Sequence, residues 1–211
     1  KDLKELLQKF KRYFLEVHLF NISTDFKIPT ILSILVDKSG VGPAISIGTK
    51  TDWDVSNAIK GALLESQHTR LWIRSAMIGG ESISNEDKIK TIKDRGIYWA
   101  RLSQKNKLNF FLNSKRKVPY SKLILKIPEE KKLDALTKLI KEKGYSLYIK
   151  DLTDKKIRKK GFFVYKSIIP ELHPLFLFEN TKYLFGKRLN EIPILLGKKN
   201  KKLNLEPHPF I

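Results

Sequence analysis

FNISTDFKIPTILSILVD, residues 20–37, decides the fold. Thr30–Asp37 is a run of Ile, Leu and Val with no charge until its last residue, the pattern of a strand buried on both faces. Ser23-Thr24-Asp25 before it makes a turn, and HLFNI, 18–22, is a short strand leading into that turn. Toward the N-terminus, Leu3, Leu6, Leu7, Phe10, Phe14 and Val17 recur at helical spacing, which predicts a helix over 2–17. In the other direction SGVGP, 39–43, is a turn and AISIGTKT, 44–51, a further strand. Asp52 or Asp54 then caps a long helix over 54–77. Its face of Val55, Ala58, Ile59, Ala62, Ser66, Thr69, Ile73 and Met77 is mostly small, so it can lie close on a sheet, and Gly79-Gly80 stops it.

The second half of the chain is read in the same way. Residues 84–113 predict interrupted helix, and KLILKIP, 122–128, a short strand. PEEKKLDALTKLIKEKG, 128–144, is an amphipathic helix, acidic at its start, basic at its end and closed by Gly144. YSLYIKDL, 145–152, is a strand, Thr153-Asp154 turns into a short basic segment, and GFFVYKSIIP, 161–170, reads as another buried strand. From Glu171 the chain is proline-punctuated and irregular. The order helix 2–17, strand, Ser-Thr-Asp, strand is echoed by helix 129–143, strand, Leu-Thr-Asp, strand. The echo is loose and reads as two similar packing units rather than a solenoid repeat. Alternating helices and strands predict an α/β (α+β) fold of layered sheets with packed helices.

The chain has 211 residues, of which 41% are hydrophobic, enough for one sizeable core or a large single domain. No apolar run is long enough to span a membrane and no signal-peptide pattern opens the chain. Cysteine is absent, which excludes a disulfide frame, a thiolate nucleophile and cysteine-ligated zinc, and fits a cytoplasmic protein. The chain opens KDLKELL without an initiating Met, so a piece of a longer or trimmed chain is expected. The net charge of +20 raises the question of nucleic acid. Its clusters are short, however: Lys115-Arg116-Lys117, Lys155-Lys156, Arg158-Lys159-Lys160, and Lys198-Lys199 with Lys201-Lys202. Aromatic residues do not interleave with them. An acidic partner segment accounts for the imbalance equally well.

No generic catalytic motif is present: GxGxxG, Walker A and HExxH are all missing. Histidines 18, 68, 173 and 208 are scattered, without metal-ligand spacing. The helix NAIKGALLESQHTRLWIR, 57–74, is the richest stretch. Glu65 and His68 are i and i+3 and share a face, whereas Arg70 lies about 140° round from Glu65. Glu65 and Arg70 therefore sit at opposite edges of the packed stripe. A carboxylate at such an edge can hold a metal ion and a guanidinium can hold a phosphate, although both can equally be ordinary surface charges. The chain finishes LNLEPHPFI, a stiff apolar segment where termini are usually polar.

DLTDKKIRKKGFFVYKSIIPELHPL, then GKRLNEIPILLG, then LNLEPHPFI, resembles the C-terminal half of a YcaO-domain protein, and more closely the thiazole/oxazole-forming cyclodehydratases of ribosomal peptide biosynthesis. The blocks that carry the resemblance are Asp151-Leu152-Thr153, Gly161, Pro170-Glu171-Leu172, Pro174-Leu175, Arg188-Leu189, Pro193, Leu196-Gly197 and Asn204 to Phe210. Upstream, FNISTDFKIPTILSIL is similar to the family's turn and Ile-Pro-led strand, and AIKGALLESQHTR to its Ala-Leu-x-Glu-x-x-Gln-x-Arg helix. Three departures stand out: His68 replaces the usual Gln, the Arg-Asp-Asp that commonly follows the helix is not recognisable in SAMIGGES, 75–82, and Ile211 replaces a final proline.

The resemblance implies that residues 1–211 are the C-terminal part of a single YcaO-like domain ending in a proline-rich tail, 203–211. It implies an ATP-dependent reaction in which a backbone amide oxygen of a precursor peptide is activated and a Cys, Ser or Thr side chain closes an azoline ring. ATP and Mg2+ are the implied cofactors. Arg70, Glu65 and His68 are the implied ATP-binding residues, with Glu65 also a magnesium ligand. The tail residues Pro207, Pro209 and Ile211 are the implied catalytic ones. The family's other magnesium glutamates fall outside this chain, so the implied partners are the precursor peptide and a missing N-terminal half or a leader-peptide-binding protein, with a homodimer as a further form. The alternative is a docking or scaffold subunit that keeps the fold without the nucleotide chemistry.

Overall fold

The computed structural model describes residues 2–83, 85–198 and 203–211, arranged as two compact units. The first unit comprises Lys1–Lys126, Phe176–Lys182 and Leu203–Ile211, the second Ile127–Leu175 and Tyr183–Lys202. The basic cluster at Lys198-Lys199 and Lys201-Lys202 lies, apart from Lys198, outside the described residues.

In the first unit, α1 (Asp2–Arg12) leads into an antiparallel sheet of β1 (Leu15–Asn21), β2 (Thr30–Asp37) and β3 (Ile45–Thr51), in the order β1-β2-β3. The register runs Leu15 opposite Asp37 to Asn21 opposite Ile31, and Thr30 opposite Thr51 to Val36 opposite Ile45. As the unbroken apolar run predicts, β2 is central and buried on both faces. On one face Ile31 and Leu35 pack against Phe10 of α1 and against Val55, Ala58, Ala62 and Leu63 of α2 (Val55–Ile78), with Leu15 of β1 beside them. On the other, Leu32, Ile34 and Val36 pack with Ile45 and Ile47 against Tyr98 and Trp99 of α3 (Ile92–Trp99) and against Leu108, just before α4 (Asn109–Leu112). The result is the expected layered arrangement, helices on both faces of a sheet. Each fully buried Ile or Leu contributes roughly 1.5–3 kcal/mol.

Asp54 is the cap of α2, accepting from Ser56 N at 2.7 Å, while Asp52 accepts from Asp54 N at 2.9 Å one step earlier. Gly79 and Gly80 end the helix, Gly80 with φ +79°. Four expectations need correction. The first helix ends at Arg12 rather than at residue 17: Phe14 turns to φ +57° and Leu15 already pairs in the sheet, so Val17 belongs to a strand. KLILKIP is not a strand; Tyr120–Leu123 is a 3-10 turn and the following residues pair with no strand. GFFVYKSIIP is a strand only over Tyr165–Ile168, and all four of those residues are exposed rather than buried. The stretch after Glu171 is not wholly irregular, since Arg188–Leu195 is helical around Pro193.

The second unit holds α5 (Lys132–Glu142), β4 (Tyr148–Asp151), α6 (Lys155–Arg158), β5 (Tyr165–Ile168) and α7 (Arg188–Leu195), with β4 and β5 antiparallel. The loose echo in the sequence is here a close one, with an offset of 130 residues between α1 and α5. Buried Phe10 corresponds to buried Ile140. Asn21 Oδ1 accepts from Ser23 N at 3.0 Å, and Asp151 Oδ1 accepts from Thr153 N at 2.9 Å. The hydroxyl that follows then caps the next strand: Ser23 Oγ accepts from Thr30 N, and Thr153 Oγ1 from Val164 N, both at 2.9 Å. Ile22 N donates to Thr30 O and Leu152 N to Val164 O. The two units therefore share one helix, Asx-turn and hairpin design. They differ at the helix end, where Gly144 (φ +69°) of the second unit corresponds to Phe14 (φ +57°) of the first. Glycine is the ordinary residue for that conformation and phenylalanine is strained in it.

Candidate functional site

The helix α2 presents three faces. Its core stripe runs Val55, Ala58, Ala62, Ser66, Thr69, Ile73 and Ala76, all buried. The stripe can touch the sheet because β3 carries Gly48, where an added Cβ would stand 2.3 Å from Ser66 N and 2.4 Å from Ala62 O. Ser66 Oγ lies 3.2 Å from Ser33 Oγ of β2 and donates to Leu63 O at 2.8 Å.

Glu65 and His68 sit together on one exposed edge, and Thr49 N of β3 donates to the Glu65 carboxylate. Arg70 lies on the opposite edge, as the helical geometry requires. Its Nη2 donates to Asp37 Oδ2 at 2.6 Å, and both residues are buried. Burial would raise the Asp37 carboxyl, but hydrogen bonds from Ser39 and Arg70 outweigh it and hold the group below the usual range. The structure thus brings two of the three nucleotide candidates together and places Arg70 apart from them.

The tail folds back on α3. Trp99 Nε1 donates to Pro207 O at 3.0 Å, and Arg95 Nη1 donates to Phe210 O at 3.2 Å. Arg95 is fully buried; its Nε and Nη2 also reach Glu179 Oε1 at 2.8 and 2.7 Å, and Nη2 donates to Leu177 O at 3.1 Å. Lys107 bridges the carboxylates of Glu206 and Glu86 and reaches the Tyr98 hydroxyl at 2.7 Å. Burial would lower the Lys107 ammonium, but these three partners raise it above its ordinary value. His208 Nε2 lies 2.8 Å from Phe176 O. Pro207 is buried and Pro209 half-buried. Ile211 packs with Ile73 and Ala76 of α2 and with Ile97 and Ala100. Gly96 makes room for it, since a Cβ there would stand 2.3 Å from Ile73 Cδ1 and 2.9 Å from Ile211 Cδ1. The tail therefore ends on the same helix that carries Glu65 and His68. Ile73 lies roughly 8–12 Å further along the axis, at 1.5 Å per residue.

Residues 1–173 match the family model described as YcaO cyclodehydratase, ATP- and Mg2+-binding. The chain belongs to the YcaO cyclodehydratase family. Two solved structures are similar in fold. One is a heterocyclase in complex with substrate and cofactor, with 18% identity, a TM-score of 0.72, and 99% of this chain covered. The other is the heterocyclase TruD, with 19% identity, a TM-score of 0.66 and 96% coverage. The YcaO chain described here spans 26% of each of those chains. Among curated proteins, none matches it in sequence.

The YcaO description names ATP and Mg2+, and the residues at hand fit a part of such a site. Mg2+ is commonly held by one or two carboxylates with phosphate oxygens and water completing the shell. Glu65 can be one such carboxylate, while among the described residues no group of three His, Asp or Glu gathers for a metal. Arg95, Trp99 and Lys107, which hold the tail, carry little signal in the sequence: an arginine beside a glycine in the short helix IKDRGIYW, whose last five residues are buried.

In the second unit two of the YcaO blocks converge on Tyr145 and Ser146. Glu171 accepts from Ser146 N at 3.1 Å, and Arg188 donates to Tyr145 Oη at 2.7 Å with its guanidinium 5.6 Å from that ring. These contacts fix the entry to β4 and do not gather around a metal-like cluster.

Burial, with the nearby Arg95 charge, holds His208 below the ordinary histidine range, against the opposing bond to Phe176. A depressed histidine adds stability that is fully present above its unfolded value of 6.5 and is lost as pH falls through the folded value. Tail docking is therefore expected to weaken as the pH drops below about 6.5. Trp99 fluorescence reports it: a red shift on acidification, absent in His208→Gln, is the expected result.

Proposed function

We propose that this YcaO chain forms part of an ATP-dependent enzyme that cyclodehydrates Cys, Ser or Thr residues of a ribosomal precursor peptide to azolines. The observation that carries the reading is the docked tail: a Pro-His-Pro segment held by Trp99, Arg95 and Lys107, with its end on α2. ATP, when bound, supplies the activation that turns the amide oxygen into a leaving group. Glu65 would supply one magnesium carboxylate from the open edge of α2, and His68, on the same edge, would help to hold the nucleotide. Pro207 and Pro209 hold the tail extended at a low entropic cost, and Ile211 seats its end. Arg70 acts as a positioning residue: paired with Asp37, it ties α2 to the end of β2. The precursor peptide and the polypeptide bearing the remaining magnesium ligands are the proposed partners.

Glu65→Gln tests the assignment. The substitution keeps the shape and an acceptor for Thr49 N but removes the charge. In the complete natural protein it is expected to reduce ATP-dependent phosphate release at least tenfold while leaving thermal stability within about 1 kcal/mol. Phosphate release at the wild-type rate would remove Glu65 from the nucleotide site. A second reading, a scaffold subunit without nucleotide chemistry, is favoured by Arg70 being committed to Asp37. Under it, Glu65→Gln leaves nucleotide binding unchanged.

A further inference from the structure

We propose that the groove between α1 and α2 in the first unit docks an acidic amphipathic helix supplied by polypeptide outside these 211 residues. The groove has a volume of about 670 Å³. Tyr13, Phe14, Leu64 and Leu71 form its walls, and each is at least half exposed, at 72%, 69%, 50% and 51%. Its charged lining is Lys9, Arg12, Arg70 and Arg74, and no carboxylate is among its lining residues. Lys9 and Arg70 already face Glu5 and Asp37. Three buried polar atoms on the same flank of α2 have no partner: Gln67 Oε1, Arg70 Nε and Arg74 Nε. An apolar groove with unpaired guanidinium donors fits an apolar face bordered by carboxylates.

Phe14 strengthens the case. It sits in a left-handed conformation with its ring in the groove wall, at the position where the second unit has Gly144. A bulky residue held in that conformation is strained, and such strain persists where a side chain is used. A helix fits better than a strand, because the groove runs between two helices, is closed by Ser39 and Val41 of the β2–β3 loop, and is reached by only one strand residue, Leu15 of β1. From Leu64 to Arg74 the groove follows α2 for about 15 Å, three turns of a docked helix. The net charge of +20 suits an acidic partner. The inference is independent of the ATP chemistry.

The test uses two labelled synthetic helices of about twenty residues. They share one Leu/Phe face at i, i+3, i+4 and i+7 and carry either Glu or Lys along its borders. Fluorescence anisotropy with the 211-residue chain is expected to show the Glu peptide binding about tenfold more tightly than its Lys twin. Arg12→Glu with Arg74→Glu is expected to invert that preference; the exposed Arg12→Glu alone serves if the pair fails to fold. Equal binding of the twins, or a preference unchanged by the variants, overturns the proposal. Displacement of the Glu peptide by ATP–Mg2+ overturns it in favour of a nucleotide. Self-association of the chain abolished by Arg12→Glu overturns it in favour of a second copy.

Discussion

Replacing Arg95 by alanine is expected to destabilise the first unit by about 3–5 kcal/mol, the range for breaking a buried ion pair from one side. The reason is the number of groups that depend on this side chain. Arg95 is fully buried, reaches Glu179 with two nitrogens, and donates to the carbonyls of Leu177 and Phe210. Its guanidinium also lies 5.7 Å from the Phe176 ring. Alanine leaves Glu179 without its principal counter-ion in a buried setting and frees both the 176–182 segment and the tail. A melting temperature lower by roughly 10 °C follows from the entropy of unfolding of a domain this size. Thermal unfolding followed by Trp fluorescence checks it. Arg95→Lys keeps a charge but not the planar fork, so it is expected to lose less stability while still loosening the tail. A shift of only a degree or two for Arg95→Ala would mean that the tail is held chiefly by its apolar contacts.

The second large effect is expected at Gly48. A methyl group there meets backbone atoms of α2, Ser66 N at 2.3 Å and Ala62 O at 2.4 Å, so no rotamer change can relieve it. The helix must move off β3, and the cost is at the upper end of the range for overpacking, about 3 kcal/mol. Gly61→Ala is the control. It also crowds a neighbour, but that neighbour is the Lys50 side chain at 2.6 Å, which can swing away. Alanine also favours a helix interior by about 1 kcal/mol over glycine. Chemical denaturation of the two variants should therefore give opposite or clearly unequal shifts. Similar losses in both would show that α2 does not press on the sheet at Gly48.

The parts of this fold that could be read in advance are those governed by short-range periodicity. The buried run of β2, a cap at Asp52 or Asp54, which proves to be Asp54, and most of the small stripe of α2 follow from local pattern, whereas Met77 of that stripe is exposed and Ile59 only half-buried. The sequence pattern overextends the first helix because Phe14 and Val17 continue a 3.6-residue spacing past a turn that only strand pairing enforces. GFFVYKSIIP has the apolar composition of a buried strand, yet burial depends on what covers a strand, and β5 is exposed. At the site, helical geometry alone separated Arg70 from Glu65 and His68, and the structure keeps them on opposite edges. What holds the tail could not be read: Arg95 and Lys107 resemble surface charges until residues more than 80 positions away fold against them.

Acid sensitivity is also built into the tail. Glu86 sits below its ordinary value, chiefly through Lys107 and also Tyr98, against burial. Its contribution is present above 4.5 and is lost as pH falls through the lowered value. The Lys107 bridge is therefore expected to outlast the His208 contact during acidification.

The most direct measurement is the mass of a Cys- or Ser-containing precursor peptide after incubation with the complete natural protein, ATP and Mg2+. The account predicts the loss of one water per ring formed, with phosphate released in step, and loss of both when the tail is truncated before Pro207. A peptide of unchanged mass and no phosphate release, from a folded protein with its precursor bound, would contradict the cyclodehydratase account and leave the scaffold reading in its place.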